Sequence, residues 1–515
     1  MHAFELFLIV LGAAVALSLL SRRLKAPFPP FLALAGAAAA FLPFAPKIAL
    51  DPQLALALFV APVLIDSAFD SSLRDLKRNA VPIACLTLVA VGLTVVLVAL
   101  VARTIEPGLP WPAAIALGAI VAPPDAAAAT AVLRLVPAPY RVRTILEGES
   151  LFNDASSLLI YRFAVIAAMG TLPSGAALPG LVLWALVGSV VFGLAAAWLQ
   201  NRLMRQLDEA PPAIVLQFVG GFGVWIAAER MGLSAIIAVV VFALAIARLS
   251  ARGSAAIRAP AYAVWETTVF ALNAMAFMLV GLQIGPIWEN LAPSQRGGYA
   301  LFALAVLGAV LAARFLWVMG YNAALQIKNR LYGVNLPQGA TPPTTRSGLI
   351  IAWAGMRGVV SLAAAYALPA DFPMRDLILL TVFAVVMGTL VVQGLTLGPL
   401  IRLLGLGDDG VLAADIRHAR QEVAQAAMDH VKGRRDAPAH RLRAEYQERR
   451  AALLEIDHGD GRVDLPVDDL ARDVLRAKRE RLLSLRLGGA ISDAAYYQLE
   501  EELDRHELAL TPVTR

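Results

Sequence analysis

Cysteine, histidine and charge are all scarce in this chain, and each scarcity removes a class of function. A single cysteine, Cys85, excludes an internal disulfide, and with six histidines among 515 residues the ligands for a zinc or copper centre are few. Asp, Glu, Lys and Arg together make up only 16% of the chain, against about a quarter in soluble domains. No pairing of nucleophile with base and no nucleotide-binding loop stands out, so neither an enzyme nor a resident cofactor is expected. The Gly-rich piece Gly220-Gly-Phe-Gly223 lies inside an apolar window and reads as close helix packing.

What the chain has in abundance is apolar sequence, 59% of it, gathered into repeated windows of about 20 residues, the length of helix needed to cross a bilayer. The Leu/Ala/Val runs do not alternate as the strands of a membrane barrel do, so the fold class is all-α and polytopic. A net charge of +5 is no sign of a nucleic-acid partner, because the basic residues of the apolar part fall in loops on one side. The first window, Phe4 to Leu20, lacks a basic leader and a small-residue cleavage site, and Arg22-Arg23-Leu24-Lys25 follows it. It reads as a retained first helix.

Thirteen windows suit spans: 3–21, 28–45, 51–70, 80–103, 111–134, 144–170, 179–200, 213–230, 233–250, 264–284, 298–321, 347–369 and 377–404. Alternate loops hold seventeen basic residues (Arg22, Arg23, Lys25, Arg74, Lys77, Arg78, Arg134, Arg141, Arg143, Arg202, Arg205, Arg248, Arg252, Arg258, Lys328, Arg330 and Arg346). The intervening ones hold five, Lys47, Arg103, Arg230, Arg296 and Arg375. That asymmetry predicts an N-terminus outside and a cytoplasmic C-terminus. Thirteen spans permit two six-helix halves of opposite orientation about one linking helix, the inverted repeat common in secondary transporters. The halves share an oddity: window 111–134 is interrupted by Ala122-Pro123-Pro124-Asp125, and window 347–369 by Ala354-Gly355-Met356-Arg357-Gly358. Adjacent prolines break a helix, and unwound backbone at membrane depth requires protein or a water-filled cavity around it. Asp125 is then placed to cap the half-helix that follows.

Residues 1–404 form the membrane domain and 405–515 a separate, charged cytoplasmic module with helical periodicity in 416–431 and 470–487. A third helical segment, 491–504, carries Ser492 or Asp493 as its cap.

The densest polar cluster inside an apolar window is Glu147 to Arg162, with three carboxylates, Asn153, three serines and an arginine. A charge at bilayer depth costs roughly 3 kcal/mol or more and marks a functional site. Ser150 and Asp154 are four apart and share a helix face, with Ser157 three further on, which makes an all-oxygen face suited to a hard cation. Ser156 and Ser157 read foremost as interhelical hydrogen-bonding groups. Burial favours a neutral, protonated carboxyl and a bound cation favours the ionised one, so Asp154 can hold a proton or a metal cation in competition. Asn153 points about 100° away from Asp154 and suits the unwound backbone of the first broken helix. Glu149 and Arg357 suit each other as an ion pair. Asp66, in Val63-Leu-Ile-Asp-Ser-Ala-Phe69, is either a further site carboxylate or part of the solvated end with Asp70. Arg162 and Arg314 have no assigned partner.

These residues carry a resemblance. Glu149-Ser-Leu-Phe-Asn153-Asp154-Ala, the Pro124-Asp125 break before it and Gly355-Met-Arg357-Gly-Val-Val-Ser-Leu after it resemble the monovalent cation/proton antiporter-1 family, the sodium/proton exchangers, over about the first 405 residues. The resemblance implies a homodimer in a bacterial inner membrane, each protomer moving a core subdomain against a dimerisation subdomain in an elevator-like displacement. It implies that Asp154 binds sodium and protons in turn, that Ser150 and Asp66 contribute to the site, that Asn153 steadies the crossing helices, and that Glu149 pairs with Arg357. The Asn153-Asp154 form of the motif implies one-for-one, electroneutral exchange. Many members read Thr-Asp-Pro where this chain reads Pro124-Asp125-Ala126, so position 124 offers a carbonyl and no hydroxyl. The expected function is exchange of sodium, with lithium or potassium as other cargo, for protons. The rival expectations are a potassium/proton antiporter, a proton-coupled symporter and a membrane sensor.

Overall fold

The computed structural model describes residues 2–24, 27–42, 52–133, 136, 138–170, 178–250, 255–290, 292–332, 344–407, 409–431, 444, 447, 466–487, 499, 502–505 and 507. Among these every regular element is a helix. Each of the thirteen apolar windows contains helix, and seven stretches, among them Tyr140–Ala168 and Ala255–Glu289, are long and apolar enough to cross a bilayer unaided. Their outward faces carry large apolar groups such as Leu183, Val191 and Trp198, each more than half exposed. A bilayer solvates that surface and water does not. Lys25, Lys47, Arg134 and Arg252, and most of 491–504, lie outside the described residues.

The chain divides into two compact units, Met1–Asp408 and Asp409–Arg515. In the second, the helices Val411–Val431 and Pro466–Leu487 cover the two periodic stretches, and Arg479 pairs with Asp504 and Glu507.

Within the first unit both interrupted windows are broken helices. The first runs as Trp111–Val121, unwinds through Ala122 to Asp125, and resumes as Ala126–Leu133. Neither proline has an N–H to give, so the ladder stops one residue before them. The second runs as Thr345–Trp353, unwinds through Ala354 to Gly358, and resumes as Val359–Tyr366. Thr344 opens it with a reciprocal cap, its hydroxyl accepting from the Ser347 amide while the Ser347 hydroxyl accepts from the Thr344 amide.

One apolar cluster joins these two broken helices to Ala80–Ile105, Arg296–Leu331 and Arg375–Leu403 through Leu117, Val306, Leu362 and Val382. A second gathers Pro179–Met204, Ala210–Arg230 and Ala235–Ser250 around Ala61–Asp70, with Trp225, Val239 and Phe242 at its centre. Phe28–Ala39 meets Ala255–Leu282 backbone to backbone, because Gly36 and Gly281 face each other where any Cβ would overlap the Met278 or Ala33 carbonyl. Small residues at such crossings are how helices associate where lipid supplies no hydrophobic drive.

Candidate functional site

The two breaks meet. The Asp125 amide donates to the Met356 carbonyl at 2.6 Å, and the Asp125 carboxylate lies against Gly358, where a Cβ would collide with it. Sequence reading assigned Asp125 to the half-helix Ala126–Leu133. Its side chain also touches the residue that begins the opposite half-helix, Val359–Tyr366. A carboxylate there offsets the positive end of a helix dipole that otherwise disfavours a cation.

Two buried arginines close the other ends. The last carbonyls of a half-helix have no partner within it. Arg357, 1% exposed, donates from Nε to the Val121 carbonyl at 3.0 Å, from Nη2 to Ala122 at 3.5 Å, and to Gly355 in its own break. Arg314, 3% exposed, donates to the Ile351 and Ala352 carbonyls that end Thr345–Trp353, at 2.9 to 3.2 Å. Each arginine thus caps the negative end of one half-helix.

Glu149 is the point at which sequence expectation is corrected. Its carboxylate accepts from Arg314 at 2.6 and 3.0 Å, not from Arg357. The guanidinium of Arg357 is turned toward carbonyls of the two breaks, which leaves the fork of Arg314 to meet the carboxylate. Arg162, unassigned from sequence, donates to the Leu233 carbonyl at 3.3 Å.

The helix Tyr140–Ala168 supplies the remaining polar groups. Asn153, fully buried, donates through Nδ2 to the Pro124 carbonyl at 3.1 Å, so one side chain ties this helix to the first break. Ser157 donates to the Ala119 carbonyl at 2.5 Å and Ser156 to Thr87 at 2.6 Å, both across helices. These serines hold helices together and leave Ser150 and Asp154, each 7% exposed, to face a cavity of about 40 Å³.

Pro124, Asp125, Gly358 and Ser361 also line that cavity, together with Ser67 and Asn273. Its volume is far below the few hundred Å³ of a pocket for an organic ligand and is of a size for an ion or ordered water. The structure brings together Asp154, Ser150, Pro124 and Asp125 and braces them with Asn153, Glu149 and Arg357. It does not bring Asp66 to them. Asp66 lines a separate cavity of about 800 Å³ with Phe69, Gln200, Gln217, Tyr262 and Trp265. Sequence reasoning passed over three lining residues. Asn273 carries no local signal, whereas Ser67 stands beside Asp66 in the quoted Val63–Phe69 stretch and Ser361 inside the quoted motif after Arg357.

The model of a family described as sodium/hydrogen exchanger, transmembrane, matches residues 8–403. An uncharacterised Na+/H+ exchanger of Mycobacterium tuberculosis is 31% identical over 98% of this chain and 96% of its own length. A sodium, potassium, lithium and rubidium/H+ antiporter of Bacillus pumilus is 28% identical over 83% of this chain and 66% of its own. The sodium proton antiporter structure from Methanocaldococcus jannaschii at pH 8 shares the fold, with a TM-score of 0.60 at 20% identity, over 79% of this chain and 99% of that one.

Proposed function

The chain belongs to the transmembrane sodium/hydrogen exchanger family, and from that premise we propose that it exchanges one cytoplasmic monovalent cation, sodium foremost, for one external proton at Asp154. The observation that carries this reading is the placement of a buried carboxylate, Asp154, with Ser150 in a cavity of about 40 Å³ bounded by both helix breaks. An isolated carboxylate in such a place costs several kcal/mol. It therefore crosses the membrane neutralised, by a proton or by a cation. Both neutralise the same carboxylate, so the two compete, and alternate exposure of the site to the two sides turns competition into exchange.

The exchange is one for one and electroneutral, as resemblance of the Asn153-Asp154 pair to the family motif implies. The cavity is far below the few hundred Å³ that organic ligands require, which disfavours a symporter of an organic anion. Movement is elevator-like, the body holding both breaks sliding against a dimerisation body in a homodimer of the inner membrane, with the N-terminus outside and the C-terminus cytoplasmic. Potassium is the second reading. Position 124 brings no hydroxyl to the site, and the Bacillus pumilus relative is named for sodium, potassium, lithium and rubidium.

The test is cation-driven proton movement in everted vesicles. Asp154→Asn keeps the shape and removes the titrating group, and it is expected to abolish the flux with sodium, lithium and potassium alike while expression is retained. Flux that survives the change removes Asp154 from the mechanism.

A further inference from the structure

Buried Ser and Thr hydroxyls in these helices find a carbonyl, either one turn back or, as Ser157 does with Ala119, on a neighbouring helix, and Ser361 does neither. Thr94, Thr381 and Thr389 each donate to the carbonyl four residues earlier at 2.7 Å, and Thr144 does so at 3.1 Å. Such back-bonding is the ordinary fate of a helical Ser or Thr. For Ser361 the residue four earlier is Arg357, which lies in the unwound break and offers no helical carbonyl beneath the side chain. Its hydroxyl is buried, the residue being 1% exposed, and has no hydrogen-bond partner among the described residues. Ser361 also lines the cavity that holds Asp154 and Ser150. An unsatisfied buried hydroxyl costs about 1–3 kcal/mol, and here it borders a space of ionic size.

We infer that Ser361 is a ligand of the transported cation, a hydroxyl oxygen presented by the second broken helix that replaces the one absent at Pro124 of the first. Pro124 already accepts from Asn153 through its carbonyl. Asp154 and Ser150 come from one helix and Ser361 from another, so the ion is held from two elements. The oxygen count and spacing about the ion, and with them the preference among lithium, sodium and potassium, depend on a residue outside the Tyr140–Ala168 helix. This inference rests on the reading of Asp154 as the exchange site.

The test compares Ser361→Ala, Ser361→Thr and Ser361→Cys with the wild-type protein in proteoliposomes, with Asp154→Asn alongside. Ser361→Ala is expected to raise the apparent KM for sodium about tenfold, the consequence of losing one polar contact to a charged group, and to alter the lithium, sodium and potassium order. Ser361→Thr restores the hydroxyl and brings sodium KM back to within about threefold. Ser361→Cys changes a hard oxygen for soft sulfur, so kcat/KM for thallous ion over potassium, ions of like charge and similar size, rises about fivefold or more.

A hydroxyl that only packs lowers protein yield or kcat for every ion equally and leaves these ratios alone. An unchanged ion order in Ser361→Ala, with no thallium shift in Ser361→Cys, overturns the assignment and leaves Asp154 in place. Should Ser361→Ala fail to fold, the thallium ratio of the nearly isosteric Ser361→Cys decides alone. Exchange surviving in Asp154→Asn removes the underlying site, an outcome separate from either.

Discussion

Glu149 accepts two hydrogen bonds from Arg314, at 2.6 and 3.0 Å, with both side chains almost wholly withdrawn from solvent. Removing one partner of a buried pair strands the other charge, at a cost of about 3–5 kcal/mol. Glu149→Gln and Arg314→Met are each expected to lower thermal stability in detergent by that order. Their combination should cost less than the sum by about 1.5 kcal/mol or more, the coupling of a close charge pair. Some penalty survives in the double variant because Arg314 also serves the Ile351 and Ala352 carbonyls. Strictly additive losses in the melting experiment would refute the pairing, and a Glu149→Gln cycle with Arg357→Met should show the smaller coupling.

Gly358 carries the contact between the breaks. A Cβ there would collide with the Asp125 carboxylate, whereas one on Gly223 meets nothing within 4 Å. Gly358→Ala is therefore expected to lose most exchange activity, and Gly223→Ala to keep it and to gain up to about 1 kcal/mol from helix propensity. Vesicle flux and melting temperature measured on the pair check this. Equal behaviour of the two alanine variants would mean that the breaks do not meet as described.

Asp66 separates sequence resemblance from structure. It lines the cavity of about 800 Å³ and not the one that holds Asp154. Asp66→Asn is expected to leave sodium KM within about threefold, where Ser150→Ala raises it about tenfold, since only the latter takes an oxygen from the ion. Sodium titrations of flux on the two variants decide the matter. A tenfold rise in Asp66→Asn puts that carboxylate at the ion after all.

The helices and the first break were legible in the sequence because their causes are local, while the second break, which has no proline, showed only as the glycines on either side of Met356-Arg357. Apolar windows of span length and two consecutive prolines act through the backbone of the same segment. The match of Asn153 to the first break was legible for a similar reason, since a fixed turn angle separates it from Asp154 and unwound carbonyls need donors. Arginine partners were not. Arg314 and Arg357 both lie far along the chain from Glu149, and nothing local distinguishes two long cationic side chains that reach the same region. What decided between them was which helix end lay within reach of each guanidinium, a property of the assembled bundle. The same holds for Asn273, an isolated polar residue whose cavity exists only once five helical segments have packed.

Arg357 binds the two breaks into one object, and a lysine in its place tests how. The guanidinium reaches Val121 and Ala122 of the first break and Gly355 of the second, while its own amide donates to Thr389 at 3.0 Å. Lysine keeps the charge but is a single point donor on a flexible stem, and cannot span carbonyls on two segments at once. Arg357→Lys is therefore expected to lose about 3 kcal/mol of local stability, the equivalent of two charge-assisted hydrogen bonds, although net charge is unchanged. Hydrogen exchange reads this directly, because the Asp125 amide is held by Met356 at 2.6 Å across the breaks. Peptides covering 120–130 and 354–360 should exchange faster in the lysine variant, by about a hundredfold for that energy, while peptides of Tyr140–Ala168 around Asn153 change less. Protection that stays at the wild-type level while exchange activity vanishes would instead assign Arg357 a part in moving the ion, and would take the bracing role from it.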